Sequence, residues 1–219
     1  MLDLTEEQIT SRLSQPGPSD TFEDRRYSAF FTEPVRQAAV LIPFLRQSNN
    51  NNSWDILFTR RTNLVAEHKG QVSFPGGGSH LEDSSTFQTA LREAFEEIGL
   101  APEDVRPLGK LEAVHTISNY RVVPVVGVIP WPYQFKIEEK EVSRVFTIPI
   151  HWLANPDHFK VRTRLVEFPG YLQPQELEVI YYQAFDGEIL WGVSAEITHQ
   201  LLKRLGLLKR AGSVQVMNY

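Results

Sequence analysis

The stretch Gly77-Gly-Ser-His-Leu-Glu-Asp-Ser-Ser-Thr-Phe-Gln-Thr-Ala-Leu-Arg-Glu-Ala-Phe-Glu-Glu-Ile-Gly-Leu100 decides how this chain reads. Its second half has helical periodicity. Phe87, Ala90, Leu91, Ala94, Phe95 and Ile98 recur at i, i+3, i+4, i+7, i+8 and i+11, one continuous apolar stripe, which predicts a helix over 85–98. Asp83, Ser84 and Ser85 offer oxygen caps at its start, and Gly99 can end it. Glu93, Glu96 and Glu97 stand at i, i+3 and i+4 and so share one flank, roughly opposite the stripe. Like charges at this spacing repel by about a few tenths of a kcal/mol per pair, and Arg92 is the one compensating charge among them. On a generic helix such a group is a solvated acidic face. Here it follows a Phe74-Pro-Gly-Gly-Gly78 segment, whose glycines allow close backbone approach. In that setting the three glutamates read as oxygen ligands for a hard divalent cation, Mg²⁺ or Mn²⁺, with phosphate oxygens completing its shell.

Outward from this helix the pattern is mixed α/β. A short helix is predicted over 4–14, then a break at Gln15-Pro-Gly-Pro-Ser19. Buried strands are read at 35–45 and 54–60, joined through the polar run 47–53. Residues 62–85 read mostly as loop. Further strands are read at 108–115, 121–129 and 141–148, with a short helix near 151–154. A hairpin spans 177–191 with its turn at Asp186-Gly187, and a final amphipathic helix runs over 194–205. Asn119 and Tyr120 fall between two strands, where they could line a cleft. There is no internal repeat and no long linker. The expected organisation is an N-terminal helix and extension over 1–30 and one domain over 31–219.

Composition narrows the chemistry. The chain has 219 residues, 42% of them hydrophobic, a normal globular balance for one well-cored domain. It has no cysteine, which removes disulfides, thiolate catalysis and cysteine-based zinc sites. No apolar run reaches the roughly 18 residues of a membrane span, and the acidic N-terminus lacks a signal-peptide pattern, so a cytoplasmic protein without membrane contact is expected. The net charge of −5 and the lack of a basic stripe argue against nucleic acid as a partner. An acidic protein acting on a phosphate-rich molecule needs a local remedy for repulsion, and a divalent metal supplies it.

Arg92-Glu-Ala-Phe-Glu-Glu-Ile-Gly-Leu100 fits every specified position in the second half of the Nudix pattern, G-x5-E-x7-R-E-U-x-E-E-x-G-U with U apolar. The chain therefore resembles a Nudix hydrolase. The first half departs from the pattern: counted from Gly77, the acid is Asp83 rather than Glu, with one extra residue before Arg92, and Glu82 competes for the same role. Upstream, Leu57-Phe-Thr-Arg-Arg-Thr62 and Gly70-Gln-Val-Ser-Phe-Pro-Gly-Gly77 are similar to the signature of coenzyme A pyrophosphatases in that family, L-L-T-x-R-S-x3-R-x3-G-x3-F-P-G-G. The second Arg of that signature falls on Ala66, and His68 or Lys69 are the nearest substitutes for its phosphate contact.

The resemblance implies an α/β/α sandwich around a mixed sheet. It implies a pyrophosphohydrolase that uses Mg²⁺ or Mn²⁺ and takes a small nucleotide substrate, coenzyme A or an acyl-CoA, which it splits to 3′,5′-ADP and 4′-phosphopantetheine or its acyl form. Glu93, Glu96 and Glu97 are the implied metal ligands, and Arg92 orients a glutamate. Arg61, Gly76, Gly77, His68 and Lys69 are the implied substrate contacts. Glu141 reads either as a general base or as a solvated strand-edge acid. Two other readings stay open: a relative acting on ADP-ribose, NADH or another nucleoside diphosphate derivative, and a non-catalytic nucleotide-binding module. Nothing in the sequence decides between a monomer and a homodimer.

Overall fold

In the computed structural model, residues 4–15, 34–46, 53–63, 69–167 and 173–208 are described. The breaks read at 16–19 and 47–52, together with Ala66 and His68, lie outside them. Helix α1 (Glu6–Ser14) is followed by strands β1 (Arg36–Arg46), β2 (Trp54–Arg61), β3 (Val72–Ser73) and β4 (Gly76–Gly78). Helix α2 (Thr86–Ile98) leads to β5 (Arg106–Lys110), β6 (Val114–His115), β7 (Tyr120–Val128) and β8 (Val142–Pro149). After α3 (Ile150–Leu153) come β9 (Phe159–Val166), β10 (Gln175–Phe185), β11 (Glu188–Trp191) and α4 (Val193–Arg204).

Strand β1 is the axis of the main sheet. It runs parallel to β7 from Arg36–Tyr120 to Phe44–Val128, and antiparallel to β2 and to the glycine strand β4. Because successive side chains alternate across a strand, one run of apolar residues feeds two cores. Ala39, Leu41 and Leu45 of β1 join Leu57, Val123 and Val125 and pack on Ala90, Ala94 and Ile98 of α2. Ala38, Ile42 and Phe44 face the other way, towards Ile56 and Phe58 of β2, Ile9 and Leu13 of α1, and Leu201 and Leu202 of α4. Helices thus cover both faces of a mixed sheet.

Three differences from the sequence reading have physical causes. Gly76–Gly78 is a strand paired with Ala38–Val40, not a loop; glycine composition reads as loop, yet a strand without side chains is what fits beside the helix. Within α2, Phe95 is 55% exposed and Glu97 only 3%. The buried face is centred on Ala90, Ala94, Glu97 and Ile98, so Glu97 points into the protein rather than away from it. Strand β9 was not anticipated, although Phe159, Val161, Thr163 and Leu165 do alternate with Lys160, Arg162 and Arg164.

Strands β9, β10 and β11 form a separate three-stranded sheet with β9 at one edge. Its anchor to the main sheet is Glu188, buried between Arg60 of β2 (3.4 Å) and Arg144 of β8 (3.1 Å). Those two arginines are cross-strand partners, so the carboxylate offsets the repulsion between two like charges by attracting both.

Near this sheet, His199 of α4 sets its ring against Phe159 at 5.2 Å. Burial, helped by the positive charge of Lys203, lowers its pKa to about 4. The folded protein therefore keeps this ring neutral where the unfolded chain, titrating near 6.5, binds a proton. That contribution to stability is whole above pH 6.5 and is lost as pH falls from there towards 4. Urea unfolding from pH 7 to pH 4 should show His199→Gln losing stability less steeply than the native chain, by at most about 3 kcal/mol across the interval. Parallel curves would remove His199 from the account.

Candidate active site

Strands β1, β4, β7 and β8 pack against α2. The helix starts on Ser85, whose hydroxyl accepts from the Gln88 N–H, and ends on Gly99 in the left-handed conformation. This fixes the register of Arg92, Glu93, Glu96 and Glu97. Arg92 is the hub. It donates to Glu93 (2.8 Å), to Glu96 (3.2 Å) and to the carbonyl of Gly78 (2.9 Å). Its other edge grips Asp83 through Nε (3.2 Å) and a terminal nitrogen (3.0 Å), the fork geometry that guanidinium and carboxylate share.

Asp83 is accordingly committed to the frame. Arg92 above all, then the His80 N–H and the Thr89 hydroxyl, hold its carboxyl well below the usual carboxylate range. In the same way its bonds to Asp83 and Glu93 raise the pKa of Arg92. Glu82, the other acid considered for this place, is exposed. The aspartate one residue further along is what the one-residue insertion delivers to Arg92.

Glu97 and Glu93 sit over the glycine strand. Glu97 accepts from the Gly76 N–H at 3.2 Å with one oxygen, and faces Arg61 at 3.4 Å with the other. Burial pushes its pKa up to about 8; Arg61 and the Gly76 N–H oppose the rise, while the charges of Glu93 and Glu141 add to it. Glu93 is also raised, again by burial, with Arg92 pulling the other way. A Cβ on Gly77 would lie 2.4 Å from an oxygen of Glu93. The sequence reading gives the room at Gly76 and Gly77 to the approach of a metal or a phosphate, and in the structure their strand lies against the carboxylates of Glu97 and Glu93.

The remaining candidates divide. Arg61 is in the cluster, Lys69 is exposed beyond it, and His68 lies outside the described residues. Glu141 is exposed, yet close enough for its charge to act on Glu93 and Glu97. Tyr120 lies under the Arg36 guanidinium at 3.9 Å, and Asn119 occupies the turn before β7. Among the described residues, no three acidic or histidine side chains already converge as a ligand set; Glu93 and Glu96 are turned to Arg92.

A backbone contact that residue patterns do not reveal is Lys136, which donates its N–H to the carbonyl of Ile98, with Glu138 doing the same to Glu97. The segment after β7 thus closes the end of the helix.

The NUDIX domain family matches residues 35–189. The chain belongs to the Nudix family. It is similar to an uncharacterized Nudix hydrolase, NudL, of Pectobacterium atrosepticum: 36% identical over 167 residues, covering 76% of this chain and 81% of the relative. The NudL of Yersinia pestis is 31% identical over 196 residues, covering 90% of this chain and 92% of that one. Among solved structures, a MutT/nudix family protein from Enterococcus faecalis aligns with TM-score 0.52 at 13% identity, covering 94% of this chain and 76% of that chain. That likeness concerns the Nudix fold alone. The chain is an enzyme of the Nudix hydrolase family, and among its described residues no helix is long and apolar enough to cross a membrane.

Proposed function

We propose that this Nudix hydrolase cleaves the pyrophosphate linkage of coenzyme A or an acyl-CoA, releasing 3′,5′-ADP and 4′-phosphopantetheine or its acyl form. The observation that carries this reading is the meeting at Glu97. Arg61 belongs to the upstream Leu57–Thr62 stretch and Gly76 to the Gly70–Gly77 stretch, and the carboxylate of Glu97 on the helix meets both. This meeting of both signature-like stretches with the helix supports the coenzyme A reading.

The donor set fits a hard divalent cation. Glu93, Glu96 and Glu97 supply oxygens only, and burial raises Glu93 and Glu97 because their negative charge lacks solvent. Bound there, Mg²⁺ or Mn²⁺ would neutralise phosphate oxygens and lower the pKa of an attacking water. The chain's own residues do the rest. Arg92 fixes Glu93 and Glu96 and ties them through Asp83 to the loop before the helix. The Gly76 N–H fixes Glu97. As the water oxygen bonds to phosphorus, the bridging P–O bond breaks, and a carboxylate of this group accepts the proton.

Ala66, standing where the signature has Arg, favours a second reading: a nucleoside diphosphate derivative such as ADP-ribose or NADH. Turnover of coenzyme A, acetyl-CoA, ADP-ribose and NADH with Mg²⁺ and with Mn²⁺ separates the two. The expected result is the highest kcat/KM on coenzyme A or its thioester, with 3′,5′-ADP as product. Preference for ADP-ribose or NADH would overturn the coenzyme A assignment, and no turnover of any of them would overturn the hydrolytic one.

A further inference from the structure

Arg61 has an unusual position in this site. Its Nε is buried and has no hydrogen-bond partner among the described residues. Its terminal nitrogen reaches Glu97 only at 3.4 Å, long for a charge-assisted bond. The side chain is a quarter exposed, whereas Glu97 is almost fully buried. The guanidinium is thus near a carboxylate without being saturated by it.

The backbone explains why it stands there. Opposite Arg61, strand β8 carries an extra residue: Arg60 pairs with Arg144, but Arg61 pairs with Val142. The extra residue, Ser143, donates its hydroxyl to the Arg60 carbonyl at 3.1 Å. Such a bulge re-aims the side chain beside it. Meanwhile both oxygens of Glu97 are engaged, one by the Gly76 N–H and one by Arg61. A cation coordinated by Glu97 must therefore share an oxygen with one of these donors or displace it, and of the two only Arg61 is charged and borne on a side chain that can turn away.

We infer that Arg61 and the divalent cation compete for Glu97, and that the displaced guanidinium, with its unsatisfied Nε, then turns to a phosphate oxygen of the substrate. This rests on the metal-dependent reading proposed above and adds an order to it. Arg61 restrains cation binding until a phosphate offers it a better partner, so cation and nucleotide bind with positive coupling. Arg61 is here a positioning and coupling residue, not one of the cation's ligands.

The test is Mn²⁺ titration of the whole chain without substrate, following free Mn²⁺ by electron paramagnetic resonance. Removing a unit charge a few ångströms away, at an effective dielectric of about 20, should tighten Mn²⁺ binding roughly tenfold or more in Arg61→Ala. Arg61→Lys, which keeps the charge, should stay near the native value. Adding 3′,5′-ADP should tighten Mn²⁺ in the native chain and do so much less in Arg61→Ala. Circular dichroism melts check that both variants fold; if Arg61→Ala does not, Arg61→Gln replaces it. Equal or weaker Mn²⁺ binding in a folded neutral variant overturns the competition. No Mn²⁺ binding by the native chain with 3′,5′-ADP present or by folded Arg61→Ala, or equal binding by Glu97→Gln, overturns the metal site itself, so the two failures are told apart.

Discussion

Glu97→Gln is expected to lower kcat at least ~10³-fold while the protein stays folded, because the exchange removes a charge and keeps the shape. The environment explains why so small a change acts so strongly. Glu97 is buried against Ala90, Ala94 and Ile98 on the packed side of α2, and both its oxygens are held. It cannot swing away, and no exposed neighbour can take its place. Glu96, whose side chain is 53% exposed and, among the described residues, paired with Arg92 alone, should be more forgiving. The measurement is steady-state turnover of coenzyme A with saturating Mn²⁺, beside a thermal melt. Turnover within tenfold of the native chain in a folded Glu97→Gln protein would remove Glu97 from the chemistry.

Gly76→Ala is expected to be the most damaging single change to stability. Its φ is +154°, where side-chain-bearing residues are rare. An added Cβ would lie 2.5 Å from the Ala39 carbonyl oxygen and 2.6 Å from the Val40 Cα. Both are backbone atoms of the central strand, so relief means parting β4 from β1. That would also withdraw the N–H that holds Glu97. A loss of at least about 3 kcal/mol follows from the strain and the broken strand pairing together. Gly78→Ala is the control, since nothing lies within 4 Å of its added Cβ. Equal urea midpoints for the two variants would show that the close contact at Gly76 carries no weight.

The contrast between these residues shows what was legible in advance. The helix over 85–98, its caps, the strands on either side and the final helix were readable because their apolar spacing is regular. The helical acids were readable for the same reason. What misled was hydrophobicity used as a proxy for burial. Phe95 extended the apolar stripe and Glu97 was set opposite it, whereas packing against β1 selects the small residues Ala90 and Ala94 and carries Glu97 inward with them. The glycines misled differently. Their composition is that of a loop, and only the long-range pairing with Ala38–Val40 makes them a strand. The choice between Asp83 and Glu82 was likewise beyond local spacing, because it depends on the direction from which Arg92 arrives.

The outer rim of the small sheet carries one more consequence. Strand β9 is eight residues long and stands, among the described residues, at an edge of its sheet, with Val161 51% and Leu165 70% exposed on one face. Unpaired N–H and C=O groups beside such residues are a template on which further chains can stack. Lys160, Arg162 and Arg164 alternate with the apolar positions, and their mutual repulsion would oppose a second β9 approaching in register. Such cations would oppose fibrous aggregation here, a constraint, unrelated to phosphate chemistry, on which residues this ribbon can accept.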